Sequence, residues 1–94
     1  MKILKKEPGG VYYLKEIENT LEAMQAEVGG YIEQVTVDRS CAIICNEEGL
    51  CKGLPYNTKL AGIHFLGPIF VVGTKGEEYC DVPALVAEIL EVTA

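Results

Sequence analysis

The sequence is poor in the residues that most catalytic and metal chemistry requires. It has one histidine, His64, and its four cysteines, Cys41, Cys45, Cys51 and Cys80, include no C-x-x-C pair. Ten residues are glycine, yet neither a Walker A loop nor a G-x-G-x-x-G segment occurs, so the usual backbone cradles for phosphate are missing. No apolar run approaches the roughly 18–20 residues that span a bilayer. The opening MKILKKEPGG lacks the continuous apolar stretch of about 7–15 residues that marks a signal peptide. No membrane partner is expected, and a cytoplasmic location is.

Basic charge is also scarce. Eight Lys and Arg face 14 Asp and Glu, for a net charge of −6. Glu16, Glu18, Glu22, Glu27 and Glu33 crowd the first third, and after Lys75 only acids follow. Nucleic-acid binders concentrate basic charge on one face. Here the one basic cluster is Lys2, Lys5, Lys6 and Lys15, so direct DNA or RNA binding is disfavoured. The acidity serves solubility or offers a surface to a basic partner.

The cysteines read as packing residues. Cys41 and Cys45 share a face if CAIIC is a strand, but lie about 13 Å apart at ~3.3 Å per residue. That is too far for a disulfide or for two ligands of one zinc ion. A reduced apolar interior suits them. Cys51 and Cys80 lie near turns, with no histidine base beside either. No metal, cofactor or catalytic residue is assigned. Glu47-Glu48 reads as a solvated turn.

What is present specifies a small α+β domain over residues 1–94. A chain this long buries roughly 60–65% of its unfolded surface, enough for one modest core. Lys2–Lys6 and Val11–Ile17 flank Pro8-Gly9-Gly10 and predict an N-terminal β-hairpin. Asn19 is the expected N-cap of a helix carrying Leu21, Met24 and Val28 inward, with Glu22 completing a capping box and Gly29 closing it in the left-handed conformation. Tyr31–Val37 and Cys41–Cys45 predict strands around an Asp38-Arg39-Ser40 turn, the second covered on both faces. An Asn46–Gly49 hairpin loop and a short returning strand, Leu50–Gly53, are expected next. Pro55–Gly62 reads as a loop or one helical turn. Ile63–Val72 predicts a strand broken at Gly67-Pro68, followed by a Gly73–Gly76 turn. Asp81 caps a last helix, with Pro83 in its first turn and Val82, Leu85, Val86, Ile89, Leu90 and Thr93 on one apolar face. The expectation is a mostly antiparallel sheet of about five to six strands with two helices, in the order β-β-α-β-β-β-β-α.

One segment combines polar groups with an expected loop: Tyr56, Asn57 and Lys59, reaching to His64. Tyrosine stacks on a base or sugar, asparagine reads an amide or base edge, and lysine meets a phosphate. These four are the candidate ligand-binding residues.

The segments NTLEAMQAEVGGYIE, CAIICNEEGLCKGLPYN and GPIFVVG resemble a small domain-of-unknown-function family of phages, plasmids and other mobile elements of Gram-positive bacteria. Its N-T-L-E-A, V-G-G-Y-I-E, I-C-N-E-E-G and G-L-P-x-N stretches carry the likeness. The resemblance implies a compact α+β domain in a bacterial host cell and brings no established active site. It points to a non-enzymatic accessory binder, used in counter-defence, that acts as a homo-oligomer and sequesters a small anionic ligand such as a signalling nucleotide. The alternative is an acidic module that blocks a host nucleic-acid-binding or defence protein. A small enzyme comes third.

Overall fold

The computed structural model describes residues 1–93. The elements are β1 (Lys2–Lys6), β2 (Tyr13–Glu16), α1 (Leu21–Val28), β3 (Ile32–Thr36), β4 (Cys41–Asn46), β5 (Tyr56–Leu60), β6 (Ile63–Leu66), β7 (Ile69–Lys75), β8 (Glu78–Cys80) and α2 (Ala84–Thr93). The main sheet is antiparallel, in the order β2-β1-β7-β4-β3, with β8 also paired to β7; β5 and β6 form a separate two-stranded sheet. The α+β class, the two helices and the antiparallel sheet agree with the sequence reading. No helix among the described residues is long and apolar enough to cross a membrane.

β1, β7 and β4 sit inside the sheet and bury apolar side chains on both faces. All six residues of β4 are buried. On one face Cys41, Ile43 and Cys45 meet Leu4, Ile69 and Val71, roofed by Phe65 of β6 and Ala87 of α2. On the other, Ile44 joins Ile3, Phe70 and Val72 beneath Met24 and Val28 of α1. Each fully buried aliphatic or aromatic side chain contributes roughly 1.5–3 kcal/mol.

α1 starts one residue later than expected. Thr20 is the N-cap, its Oγ1 accepting from the Ala23 amide at 3.1 Å. Asn19 instead donates to the Tyr79 carbonyl at 3.0 Å. The shift removes the capping box with Glu22 and leaves Leu21 exposed, with Met24 and Val28 alone buried on the helix. Gly29 closes the helix at φ 78°, as its sequence position predicts. A charged cluster joins α1 to the N-terminal hairpin. Lys5, buried in β1, reaches Glu27 at 2.9 Å and Glu7 at 3.0 Å, and Glu27 also takes Lys15 at 3.0 Å. Burial pulls the Lys5 ammonium down, but the hydrogen bonds and charges of Glu27 and Glu7 outweigh it and leave the group above its ordinary value. Burial pushes Glu27 up, and its bonds to Lys5 and Lys15 reverse that and hold it below the usual carboxylate range.

The expected returning strand Leu50–Gly53 does not form. These residues are turns, closed by Lys52 N–H to Glu48 O at 2.9 Å and Gly53 N–H to Leu50 O at 3.1 Å. Both edges of β4 are already taken, by β3 and β7, so a returning strand has no place to pair. The segment expected as a loop, Tyr56–Leu60, is β5 instead, paired with β6. The Gly67-Pro68 break holds, separating β6 from β7.

β8 is an additional strand. β7 continues to Lys75, turns at Gly76, and returns as Glu78–Cys80. Gly73 permits the close return, since a Cβ there would lie 2.1 Å from the Asp81 carbonyl oxygen. Asp81 accepts from the Lys2 amide at 2.8 Å, which ties the approach to α2 onto β1. α2 turns differently from the expected face: Val86, Ala87 and Leu90 pack inward, whereas Leu85 and Ile89 are exposed. The side chain of Thr93, assigned by sequence to the same stripe, lies outside those described.

Candidate functional site

The β5–β6 hairpin turns at Ala61-Gly62, with φ of 50° and 79°. Ala61 in the left-handed region costs on the order of 1–2 kcal/mol, which the flanking strand pairing offsets. The turn sets Lys59 directly opposite His64 and Leu60 opposite Ile63. A bulge between Tyr56 and Thr58 disturbs the alternation, and it decides the fate of the four candidate residues.

Three of them come together on the outward side. Tyr56, Lys59 and His64 are all exposed. The Tyr56 hydroxyl lies 2.9 Å from His64 Nδ1, and the two rings are tilted by 49° with centroids 5.7 Å apart. If the tyrosyl O–H donates, the imidazole proton sits on Nε2 and is left for an incoming group; if Nδ1–H donates, Nε2 is an acceptor. Lys59 has no ion pair among the described residues.

Asn57 points the other way and is buried. Its Oδ1 accepts from Lys6 Nζ at 2.9 Å, and its Nδ2 donates to the carbonyls of Lys6 and Gly67, both at 2.8 Å. It fastens the hairpin to β1 and has no amide proton left for a ligand. Beside His64 lies a cavity of about 200 Å³ whose wall includes Glu33, Cys45, Glu47 and Leu66. The outward patch therefore presents an aromatic ring, an imidazole and an ammonium next to a small recess with two carboxylates.

The cysteines are free. Burial, reinforced by the charge of Glu33, pushes the Cys45 thiol up to about 11. Burial and then Asp38 raise Cys41 as well. Both core thiols stay protonated near neutral pH and lack the thiolate that nucleophilic chemistry uses. Cys51 and Cys80 are exposed, and His64 is engaged with Tyr56 rather than with either of them. Among the described residues no group of three or more His, Cys, Asp or Glu has a metal-binding arrangement.

Sequence reasoning missed a second, larger concavity on the opposite side of the main sheet, whose wall includes Arg39, Thr74 and Tyr79. Its residues come from β3, β7, β8 and the turns after β3 and β7, too scattered along the chain to register as a motif.

No curated protein and no solved structure matches the chain. A family model described as Domain of unknown function (DUF3846) matches residues 1–94, and the protein belongs to that family.

Proposed function

We propose that this protein is a non-enzymatic accessory binding protein of phages and other mobile elements of Gram-positive bacteria. It acts in the host cytoplasm as a homo-oligomer and sequesters a small anionic ligand such as a signalling nucleotide. The observation that carries this reading is the shared outward face of Tyr56, Lys59 and His64. Tyr56 offers a stacking surface, Lys59 a counter-charge and His64 a hydrogen-bonding ring nitrogen. Glu33 and Glu47 in the adjoining recess oppose a bare anion and favour a ligand that also brings amino or hydroxyl donors. Such a device fits counter-defence, because removing a signal requires affinity and no turnover.

The test is retention. Purified protein is incubated with a bacterial nucleotide extract, re-isolated, and its bound species are identified by mass spectrometry. The expected result is one enriched nucleotide, lost in a Tyr56→Ala, Lys59→Ala, His64→Ala variant. Recovery of nothing above background removes the reading. Analytical ultracentrifugation checks the oligomer.

A second reading has its own observation. α2 exposes Leu85 and Ile89 beside the exposed Glu88 and Glu91, an apolar and acidic surface suited to a basic host protein. Capture of a purified nucleic-acid-binding host protein should weaken with salt and disappear in a Glu88→Lys, Glu91→Lys variant. Unchanged capture excludes this surface.

A further inference from the structure

α1 covers only part of the sheet face on which it packs. Beyond it the same face turns polar. The strand register aligns Thr36 with Ala42 and Val72, and Thr74 with Tyr79, so Gln34, Thr36, Thr74 and Tyr79 share this face. They line a groove of about 790 Å³, within the range of small-molecule sites.

The groove is organised without a ligand. The Tyr79 hydroxyl crosses from β8 to donate to Gln34 Oε1 on β3, and Gln34 Nε2 donates to Thr36 Oγ1 at 3.1 Å. At one end stands Arg39, the only arginine in the sequence. Its turn is pinned from two sides. Asp38 Oδ1 accepts from the Ser40 amide and hydroxyl, both at 2.7 Å, and from the Cys41 amide at 3.1 Å. Thr74 donates its hydroxyl to the Arg39 carbonyl at 3.1 Å and its amide to the Ser40 carbonyl at 2.9 Å. Asp38, which also lines the groove, thus has its Oδ1 occupied by its own turn. Among the described residues Arg39 makes no ion pair, although the chain carries 14 acidic residues. The groove wall also includes Glu77 and Glu78.

A guanidinium on a fixed turn is suited to two-point recognition of a carboxylate or phosphate. Glu77 and Glu78 repel a bare anion, and Arg39 repels a simple polycation. We infer that this groove is a second binding site, for a small amphoteric molecule whose carboxylate or phosphate meets Arg39 and whose amino group meets Glu77, with Gln34 and the two threonines holding its polar body. The chemistry is shared by free amino acids or short peptides and by amino-bearing nucleotides.

NMR titration of the full chain distinguishes these sources and tests the site. The probes are the dipeptide alanylalanine and adenosine monophosphate, with inorganic phosphate and spermidine as controls that carry charge of one sign only. The expected result is saturable movement of the Thr74 and Tyr79 amide signals with one amphoteric probe and with neither control. Arg39→Ala should weaken that binding by about tenfold or more, as loss of a charge-assisted pair implies. Arg39→Lys should restore it in part, and Glu77→Gln should weaken it too. Tyr56→Ala with His64→Ala should leave it unchanged, which separates this site from the hairpin patch. All these positions are exposed, so the melting temperature should hold. No saturable shift with either amphoteric probe overturns the inference. So does equal binding by Arg39→Ala, or binding of inorganic phosphate as tight as that of the amphoteric probe.

Discussion

In β4 every side chain from Cys41 to Asn46 is buried, whereas the β5–β6 hairpin buries Asn57 and Phe65 and leaves Tyr56, Lys59 and His64 in solvent. Both regions are antiparallel and both contain reactive residue types. Coverage separates them. β4 has a strand on each edge and a layer on each face, so its thiols are held protonated and out of reach. The hairpin is covered on one side only, and its outward side chains keep their polar groups for another molecule. Reactive chemistry in a small domain is available where a layer is missing. The hairpin patch and the Arg39 groove both satisfy that condition, and the two cysteines of β4 do not.

The comparison is broken most severely at the sheet centre. Phe70 is fully buried between α1 and the sheet. Phe70→Ala should cost about 3–5 kcal/mol, a large part of the stability of a domain this size. His64→Ala on the open side should stay within about 0.5 kcal/mol. Urea denaturation followed by circular dichroism measures both midpoints. A hairpin substitution as damaging as the core one would show that the patch is structural.

The next effect probes the charged cluster under α1. Glu27→Gln leaves the buried Lys5 ammonium with Glu7 as its one carboxylate and should cost about 1.5–3 kcal/mol. Its pH dependence has a definite sign. Glu27 is held below its unfolded value by Lys5 and Lys15, after burial has pushed it the other way. Its contribution is therefore complete above the ordinary carboxylate range, and is lost as pH falls through the lower folded value. The wild type should lose stability over that acid window more steeply than Glu27→Gln. Parallel curves for the two proteins would remove Glu27 from the account.

Part of this arrangement is legible in the sequence, for physical reasons. CAIIC announces a doubly covered strand because nothing in it tolerates water, and Gly29 announces a helix end because it accepts positive φ. β5 is hidden because YNTKL buries only part of itself and its alternation is broken by the bulge at Asn57. β8 has three residues, too few for a period. Leu50–Gly53 fits a strand locally, but both edges of β4 are taken, one of them by β7, far along the chain. The residue types of the candidate site are readable, whereas their directions are not. Asn57 turns inward to Lys6, 51 positions away, and nothing near Asn57 signals that partner.

Asn57 and Tyr56 therefore form the sharpest local contrast, adjacent residues with opposite roles. Asn57→Ala removes three hydrogen bonds and strands the buried Gly67 carbonyl. It should cost about 1–3 kcal/mol and loosen the hairpin, which would appear as faster amide exchange across β5 and β6. Unaltered exchange would show that the hairpin docks through Phe65 and Leu60 alone.

The smallest expected effect is the most specific. Tyr56→Phe removes one hydroxyl from an exposed side chain and keeps the ring. Stability should change by less than about 0.5 kcal/mol. The hydroxyl lies 2.9 Å from His64 Nδ1, so its loss frees the imidazole to exchange tautomers, and the ring ¹⁵N resonances of His64 should move. Ligand retention separates the two contributions of the tyrosine. If the ring is the stacking surface, Tyr56→Phe keeps most of the retention that Tyr56→Ala loses. If the fixed His64 proton is the recognition element, Tyr56→Phe loses as much as Tyr56→Ala. Unmoved His64 resonances would mean that the pair does not persist in solution, and the hairpin patch would then present independent side chains rather than one organised site.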